Sequence, residues 1–285
     1  MKTYRDRSLV PYSTMRLQAV GAEVHEPESV EELRELALRM ASGRKTCHWL
    51  GAGSNVVFAE RVKSPIVDLM HVDDSLSNLG GGRFRAGCSV RIQRLVRFAQ
   101  KGGYGGLEYL FSLPASVGGC VYMNAGRGRG LGQSIANHLE AVDILELDTG
   151  EIHRETATPS AFGYRTSPYQ ARSCLVLGAI LRLSPQSPDE TERKIQERLE
   201  TSRKWLDAGL PSCGSVFKRG NKFVFRAFRW LHPRSGALAF SRKTSNWIGN
   251  HGAGTLSDFK KLVGKMQRAH RMLGQECELE IRVFE

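Results

Sequence analysis

The residues best placed to do chemistry in this 285-residue chain lie in two glycine-dense segments. The first is Leu50-Gly51-Ala52-Gly53-Ser54-Asn55, directly after Thr46-Cys47-His48-Trp49-Leu50, which reads as a buried strand. Glycines there let backbone N–H groups approach an anion, and Ser54 and Asn55 add side-chain donors. The third glycine of a dinucleotide fingerprint is missing, and Val56-Val57-Phe58 reads as strand rather than helix. A P-loop would need G-K-[ST], which is absent. Alone, such a loop is more often a mere tight turn. The second segment changes that balance. Gly106-Leu107-Glu108 is followed by Leu113-Pro114-Ala115-Ser116-Val117-Gly118-Gly119 and then Met123-Asn124-Ala125-Gly126. Two segments carrying Ser and Asn but few charges suggest backbone wrapped around an extended polar ligand. A dinucleotide with its pyrophosphate meets that description.

Composition narrows the partners. The formal charge of +12 invites an anionic ligand, yet there is no long basic arm and no aromatic-basic alternation of the RNA-binding kind. Phosphorylated small molecules would also favour a positive cleft, and a plainly basic surface is the bland alternative. No nucleic-acid partner is expected. Cys47, Cys88, Cys120, Cys174, Cys213 and Cys277 lie far apart with no C-x-x-C pair. This spacing points to buried thiols in a reducing compartment, with no metal site and no disulfide framework. No apolar run approaches the ~20 residues that span a bilayer. The charged start, Met1-Lys2-Thr3-Tyr4-Arg5, lacks a signal-peptide core. We therefore expect a cytoplasmic protein with no membrane partner.

The elements that must hold these loops can be read from pattern. Ser29 and Glu32 have capping-box spacing before a helix with Leu33, Leu36, Ala37 and Met40 on one face. Pro65–Leu69 and Arg83–Gly87 read as short strands. Ser89 is the expected cap of a helix carrying Ile92, Leu95, Val96 and Ala99, which stops at Gly102-Gly103. From Gly102 to Gly132 we expect an ordered loop region with a short helix. Ala141–Leu147 and Ile152–Arg154 form a hairpin across Asp148-Thr149-Gly150-Glu151, and Leu175–Leu183 is a long strand. Ser184–Pro188 is the best linker candidate, before a charged helix from Asp189 to about Leu206. Thr255 and Asp258 open a last helix that Gly274 closes, and Cys277–Val283 reads as one final strand. The class is α+β, in two or three lobes.

In their order, these motifs resemble the UDP-N-acetylenolpyruvoylglucosamine reductases. The pairing G-x-G-S-N with the later G-L-E and P-x-S-V-G-G-x-V-Y-M-N-A-G carries the likeness. So do Phe162-Gly163-Tyr164-Arg165-Thr166-Ser167, Pro211-Ser212-Cys213-Gly214-Ser215-Val216-Phe217-Lys218-Arg219, Asn246-Trp247-Ile248-Gly249-Asn250 and Glu278-Leu279-Glu280-Ile281-Arg282. The resemblance covers nearly the whole chain and is closest to the shorter members. It implies a two-lobed FAD-binding region of the vanillyl-alcohol-oxidase-like type, residues 1–78 and 79–186, then an α+β substrate-binding domain over 187–285.

The family reaction takes hydride from NADPH onto FAD and on to an enolpyruvyl double bond of a UDP-sugar, in peptidoglycan precursor synthesis. Flavin contacts would come from Gly51, Ala52, Gly53, Ser54, Asn55, Pro114, Ala115, Ser116, Gly118, Gly119, Asn124 and Gly126. Developing enolate-like charge calls for a fixed cation, and Arg165 suits it as an always-charged bidentate donor. Ser215 resembles the family's proton donor, a poor acid alone. Glu280 matches the late glutamate that helps Arg165, which a carboxylate can do only if protonated or bridged. Strand alternation would put Glu278 on the same face, so the choice between them rests on the motif. Tyr164, Lys218 and Asn250 are the substrate-binding candidates. Cys213 has no placed histidine partner and is set aside as a nucleophile. The resemblance implies a monomer. Three readings stay open on sequence: this reductase, an FAD-dependent paralogue acting on another substrate, and a non-catalytic basic nucleotide-binding protein on the same scaffold.

Overall fold

The computed structural model describes residues 1–127, 132–207 and 209–285, so residues 128–131 of the glycine-rich region lie outside the description. The chain forms two compact units, each gathered from separate stretches. The first holds Met1–Thr3, His25–Ala52 and Ile66–Glu200, and the second holds Tyr4–Val24, Gly53–Pro65 and Thr201–Glu285.

In the first unit, helix α1 (Val30–Ser42) starts where the capping pattern predicts, with the Ser29 hydroxyl accepting from the Glu32 amide at 3.2 Å. The Glu32 carboxylate accepts from the Glu28 amide rather than from Ser29, so the reciprocal half of the box moves one residue back. Leu33, Leu36, Ala37 and Met40 are buried. Strands His48–Leu50 and Ile66–Asp68 pair in parallel. An antiparallel five-stranded sheet follows, in the order Ile152–Thr156, Leu139–Glu146, Cys174–Arg182, Arg83–Gly87 and Leu76–Gly80. Helix α2 (Ile92–Lys101) buries Ile92, Leu95, Val96 and Ala99 in the core with Phe84, Val142 and Leu181. Each large aliphatic chain so buried stabilises by about 1.5–3 kcal/mol before entropy is charged against it.

Two local expectations fail here for tertiary reasons. Ser89 does not cap α2, whose cap residue is Arg91. The Ser89 hydroxyl instead donates to the Leu69 carbonyl at 2.7 Å and accepts from the Asp73 amide at 3.0 Å, tying two loops together. The segment Ser184–Pro188 is no free linker. Ser184–Pro185 pairs antiparallel with Tyr104–Gly105, and Pro188 opens helix α4 (Pro188–Trp205), with Ser187 Oγ accepting from the Glu190 amide. Proline fits there because the first helical N–H has no partner to lose. The short helix expected among the glycines is α3 (Val117–Tyr122).

In the second unit, Arg234–Ser235, Leu238–Phe240 and Ile248–Asn250 form a three-stranded antiparallel sheet. Helix α5 (Lys222–Leu231) is capped by Asn221, whose side chain accepts from the Phe223 and Val224 amides. No periodicity or cap in the sequence analysis predicts α5. Helix α6 (Leu256–Arg271) carries the full Thr255–Asp258 capping box and buries Phe259, Leu262, Val263 and Met266. The expected final strand is two: Glu278–Leu279 pairs antiparallel with Phe217–Arg219, and Arg282–Phe284 pairs in parallel with Val56–Phe58. Glu280 and Ile281 form the step between them.

Candidate active site

Within the first unit the two glycine segments meet at Ser116. Its hydroxyl caps α3 by accepting from the Gly119 amide. A Cβ added to Gly51 would lie 3.2 Å from Ser116 Oγ, and one added to Gly119 would lie 3.4 Å from it, with nothing else within 4 Å in either case. Gly51, Ser116 and Gly119 therefore form a small uncharged cradle in which an added Cβ would press on the Ser116 hydroxyl. Ala115 and Ser116 are buried, whereas Pro114 is exposed and Ala52 half-buried.

Other glycines of the motifs answer to the protein itself. A Cβ on Gly118 would meet Cys88 Cβ at 2.9 Å, and the Gly118 amide donates to the Cys88 carbonyl. A Cβ on Gly126 would lie 2.2 Å from the Gln133 carbonyl oxygen. In the second unit, Gly53 has φ +66°, and its Cβ would overlap the Tyr12 carbonyl at 1.9 Å.

Arg165 sits at the third position of a tight turn, Gly163 to Thr166, whose ends exchange both backbone hydrogen bonds at 3.1 and 3.2 Å. Its φ is +59°, a conformation that favours glycine and costs an arginine about 1–2 kcal/mol. Four contacts hold it there. Asn124 Nδ2 donates to the Gly163 carbonyl at 2.8 Å, and Arg165 Nη1 donates to the Gly126 carbonyl at 3.1 Å. Gln170 Nε2 donates to the Arg165 carbonyl at 3.2 Å, and the guanidinium lies 5.4 Å from the Tyr164 ring centroid. The Gly126 loop and the arginine turn thus form one assembly. Asn124 is itself buried with φ +43°, and its Oδ1 accepts from the Ala136 amide.

Within the second unit, Ser215, Glu280 and Asn55 come together through backbone. Ser215 is exposed, follows Gly214 (φ +78°) and makes a bridge with Trp247. The next carbonyl, that of Val216, accepts from the Glu280 amide at 2.8 Å. Asn55 Nδ2 then donates to the Glu280 carbonyl at 3.0 Å, while the Asn55 carbonyl accepts from the Arg282 amide at 3.0 Å. Ser54 and Asn55 are half-buried. Glu278 is separated from Glu280 by its own ion pairs, to Lys218 Nζ and to Arg219 Nε at 3.5 Å. Lys218 is thereby placed beside an acid. Asn250 is buried, with Nδ2 donating to the Met15 and Arg16 carbonyls and Oδ1 accepting from the Gly252 and Gly254 amides. The whole hydrogen-bonding capacity of that amide goes to backbone. Cys213 is buried, its thiol pushed up by that burial and donating to the Val56 carbonyl, as a structural thiol would.

The sequence reading missed the residues that aim these groups. Asn246 (φ +62°) accepts from the Phe217 amide at 3.0 Å and donates to the Phe217 carbonyl at 2.7 Å, fixing the strand after Ser215. Gln170 holds Arg165 from behind and also donates to the Tyr122 carbonyl. Nothing in their spacing announces either role.

Comparison with known proteins decides the family. Residues 22–156 match the family model described as FAD binding domain. A UDP-N-acetylenolpyruvoylglucosamine reductase of Synechococcus sp. (strain JA-3-3Ab) is 31% identical over 97% of this chain and 89% of its own length. The one from Synechococcus sp. (strain WH7803) is 30% identical over 91% of this chain and 85% of its own. This chain belongs to the UDP-N-acetylenolpyruvoylglucosamine reductase family. Among solved structures, the reductase of that name (MurB) from Thermus caldophilus superposes with a TM-score of 0.78 at 27% identity, covering 100% of this chain and 98% of that one. The expected α+β flavin-binding fold is therefore the observed one. Reductases of this family use FAD, and the Gly51–Ser116–Gly119 cradle fits such a cofactor: it is uncharged, glycine-lined and of a shape that a Cβ would crowd against the Ser116 hydroxyl.

Proposed function

We propose that this chain is an FAD-dependent oxidoreductase that reduces UDP-N-acetylglucosamine enolpyruvate to UDP-N-acetylmuramate with NADPH, in peptidoglycan precursor synthesis. The observation that carries this reading is the family match over nearly the full length of both chains. Bound FAD supplies hydride transfer from NADPH to the enolpyruvyl double bond.

The chain's own residues take the following roles. Gly51, Ala52, Ser116 and Gly119 offer backbone and hydroxyl groups to the cofactor, joined by Gly53, Ser54, Asn55, Pro114 and Ala115. Gly118, Asn124 and Gly126 shape that surface through their protein contacts. Arg165 holds the substrate carboxylate and stabilises charge that develops there, and Tyr164 orients the sugar nucleotide. Ser215 delivers the proton to carbon from an exposed hydroxyl just ahead of the Phe217–Arg219 strand, and Glu280 assists Arg165 in polarising the enol ether. Lys218 draws the diphosphate, while Asn250 serves by fixing the Met15–Arg16 backbone. Residues 1–78 and 79–186 act as the flavin lobes and 187–285 as the substrate domain; the FAD-binding match, 22–156, falls within the first two. We further propose a cytoplasmic monomer. Among the described residues no helix is long and apolar enough to cross a membrane.

The test is spectroscopic. Under anaerobic conditions NADPH should bleach the flavin absorbance, and enolpyruvyl-UDP-N-acetylglucosamine should restore it. Protein that shows no flavin spectrum even after FAD is supplied would refute the reading. Bleaching without substrate-dependent recovery would point to a paralogue with another acceptor.

A further inference from the structure

Half of the net charge of +12 has a location that the reductase reading does not use. From Gly220 to Ser257 there is no Asp or Glu, but there are Lys222, Arg226, Arg229, Arg234, Arg242 and Lys243. Helix α5 lies at the start of this stretch. Val224 and Phe228 are buried, and Phe225 stacks on Phe217 at 6.1 Å, so one side of the helix is anchored. The opposite side exposes Phe223 at 65% and Trp230 at 84%, with Ala227 between them. These three recur at i, i+4 and i+7 and so form one stripe. Lys222, Arg226 and Arg229, all exposed, recur at the same spacing and form a second stripe alongside. Leu231 is 59% exposed at the end of the helix. At its start, Asn221 bonds to His270 and to Gln275, each at 2.8 Å, which brings up the segment holding exposed Met272 and Leu273.

Large apolar side chains in such numbers are rarely left in water on a single helix face without a partner. We propose that this face of α5, with Met272 and Leu273, docks on an anionic lipid surface. Charge complementarity favours that occupant, since a cationic stripe runs parallel to the apolar one with no acid in the helix. The side-chain types favour it too. Tryptophan and phenylalanine partition to the interfacial layer, arginine and lysine reach the headgroups, and leucine and methionine enter hydrocarbon. Single-stranded nucleic acid would use the aromatics and the cations but would gain little from Leu231, Met272 and Leu273. This is peripheral docking without a span. It departs from the expectation of no membrane partner, which rested on the lack of a long apolar run and of a signal-peptide core and so did not bear on peripheral docking.

The test uses the full chain and vesicles of phosphatidylcholine with or without phosphatidylglycerol. The protein should sediment with the phosphatidylglycerol vesicles at low ionic strength and be released at about 1 M salt, where the screening length falls to about 3 Å. Its tryptophan emission should shift to the blue on binding, and Trp230→Phe should remove most of that shift while still binding. The double variant Phe223→Ser, Trp230→Ser should lower the partition at least about tenfold with unchanged circular dichroism and thermal midpoint. Arg226→Gln with Arg229→Gln should weaken it as well. Wild-type protein that stays in the supernatant would overturn the proposal. So would tighter binding to a single-stranded oligonucleotide, or a concentration-dependent dimer, that the same double variant abolishes.

Discussion

The side-chain amide of Asn124 donates to the carbonyl of Gly163 at 2.8 Å and so couples the second glycine segment to the turn that carries Arg165. Asn124, at one end of this link, has φ +43°, and Arg165, two residues past the other end, has φ +59°. Strain kept at two adjoining positions persists only where the surroundings over-determine it, and such places are commonly functional. The bond places a positioning residue, Asn124, behind a proposed catalytic one.

Asn124→Ala should therefore slow substrate-dependent flavin reoxidation by roughly tenfold to a hundredfold, the scale of a small displacement of a catalytic group. Asn124→Gly keeps the backbone conformation but loses the amide, and should fall between wild type and alanine. Stopped-flow traces of the two half-reactions measure this. Equal slowing of reduction by NADPH in both variants would show a general loss of structure instead.

Ser215→Ala removes a hydroxyl from an exposed position, and Val216, which follows it, is held by the Glu280 and Asn246 backbone. Flavin reduction by NADPH should stay close to wild type while reoxidation by substrate falls by about 10²-fold or more, as expected for loss of a general acid. Were both half-reactions to fall together, Ser215 would not be the proton donor.

Gly51 and Gly53 are two residues apart and should respond in opposite ways. At Gly53 a Cβ would overlap the Tyr12 carbonyl at 1.9 Å with φ at +66°, so Gly53→Ala should cost roughly 2–4 kcal/mol of stability. At Gly51 the Cβ meets only Ser116 Oγ at 3.2 Å, a side-chain atom that need move only slightly, so Gly51→Ala should keep most of its stability and lose affinity for FAD. Urea unfolding of the apoprotein and FAD titration separate the two effects.

Asp68 supplies a pH dependence with a definite sign. Burial raises its carboxyl to about 6 from 3.8, opposed by the Met70 amide that bonds to it. The folded state then holds a proton that the unfolded chain releases, so this residue's contribution to stability falls as pH rises from about 4 through 6. Asp68→Asn keeps the acceptor for Met70 without the charge. It should stabilise the protein by roughly 1–3 kcal/mol at pH 7 and by almost nothing near pH 4. A difference between the two unfolding midpoints that does not shrink towards pH 4 would contradict the assignment.

How much of this was legible beforehand varies residue by residue. The Thr255–Asp258 box, the helix face Leu33–Met40 and the strand Arg83–Gly87 depend on neighbours within a few positions, and each formed where the pattern placed it. Ser89 failed as a cap because Leu69 and Asp73, far along the chain, compete for its hydroxyl. Ser184–Pro188 looked like a linker because Ser and Pro break regular structure, yet Tyr104–Gly105 supplies an edge for it to pair with. Helix α5 carries a clear apolar–basic contrast, with Val224 and Phe228 buried and Lys222, Arg226 and Arg229 exposed, but Phe223 and Trp230 on its exposed side blur which face belongs to the core.

Sequence by itself determined the family, the α+β class and the candidate chemistry, because motif order and local periodicity survive without coordinates. Only tertiary structure decided which neighbours each glycine of the two segments answers to. It divided their glycines into those pressed against neighbouring chain, as at Gly53, Gly118 and Gly126, and those whose Cβ would meet only the Ser116 hydroxyl, as at Gly51 and Gly119. The reason is physical. A glycine records that a Cβ is forbidden, but what forbids it is a neighbour brought close by the fold.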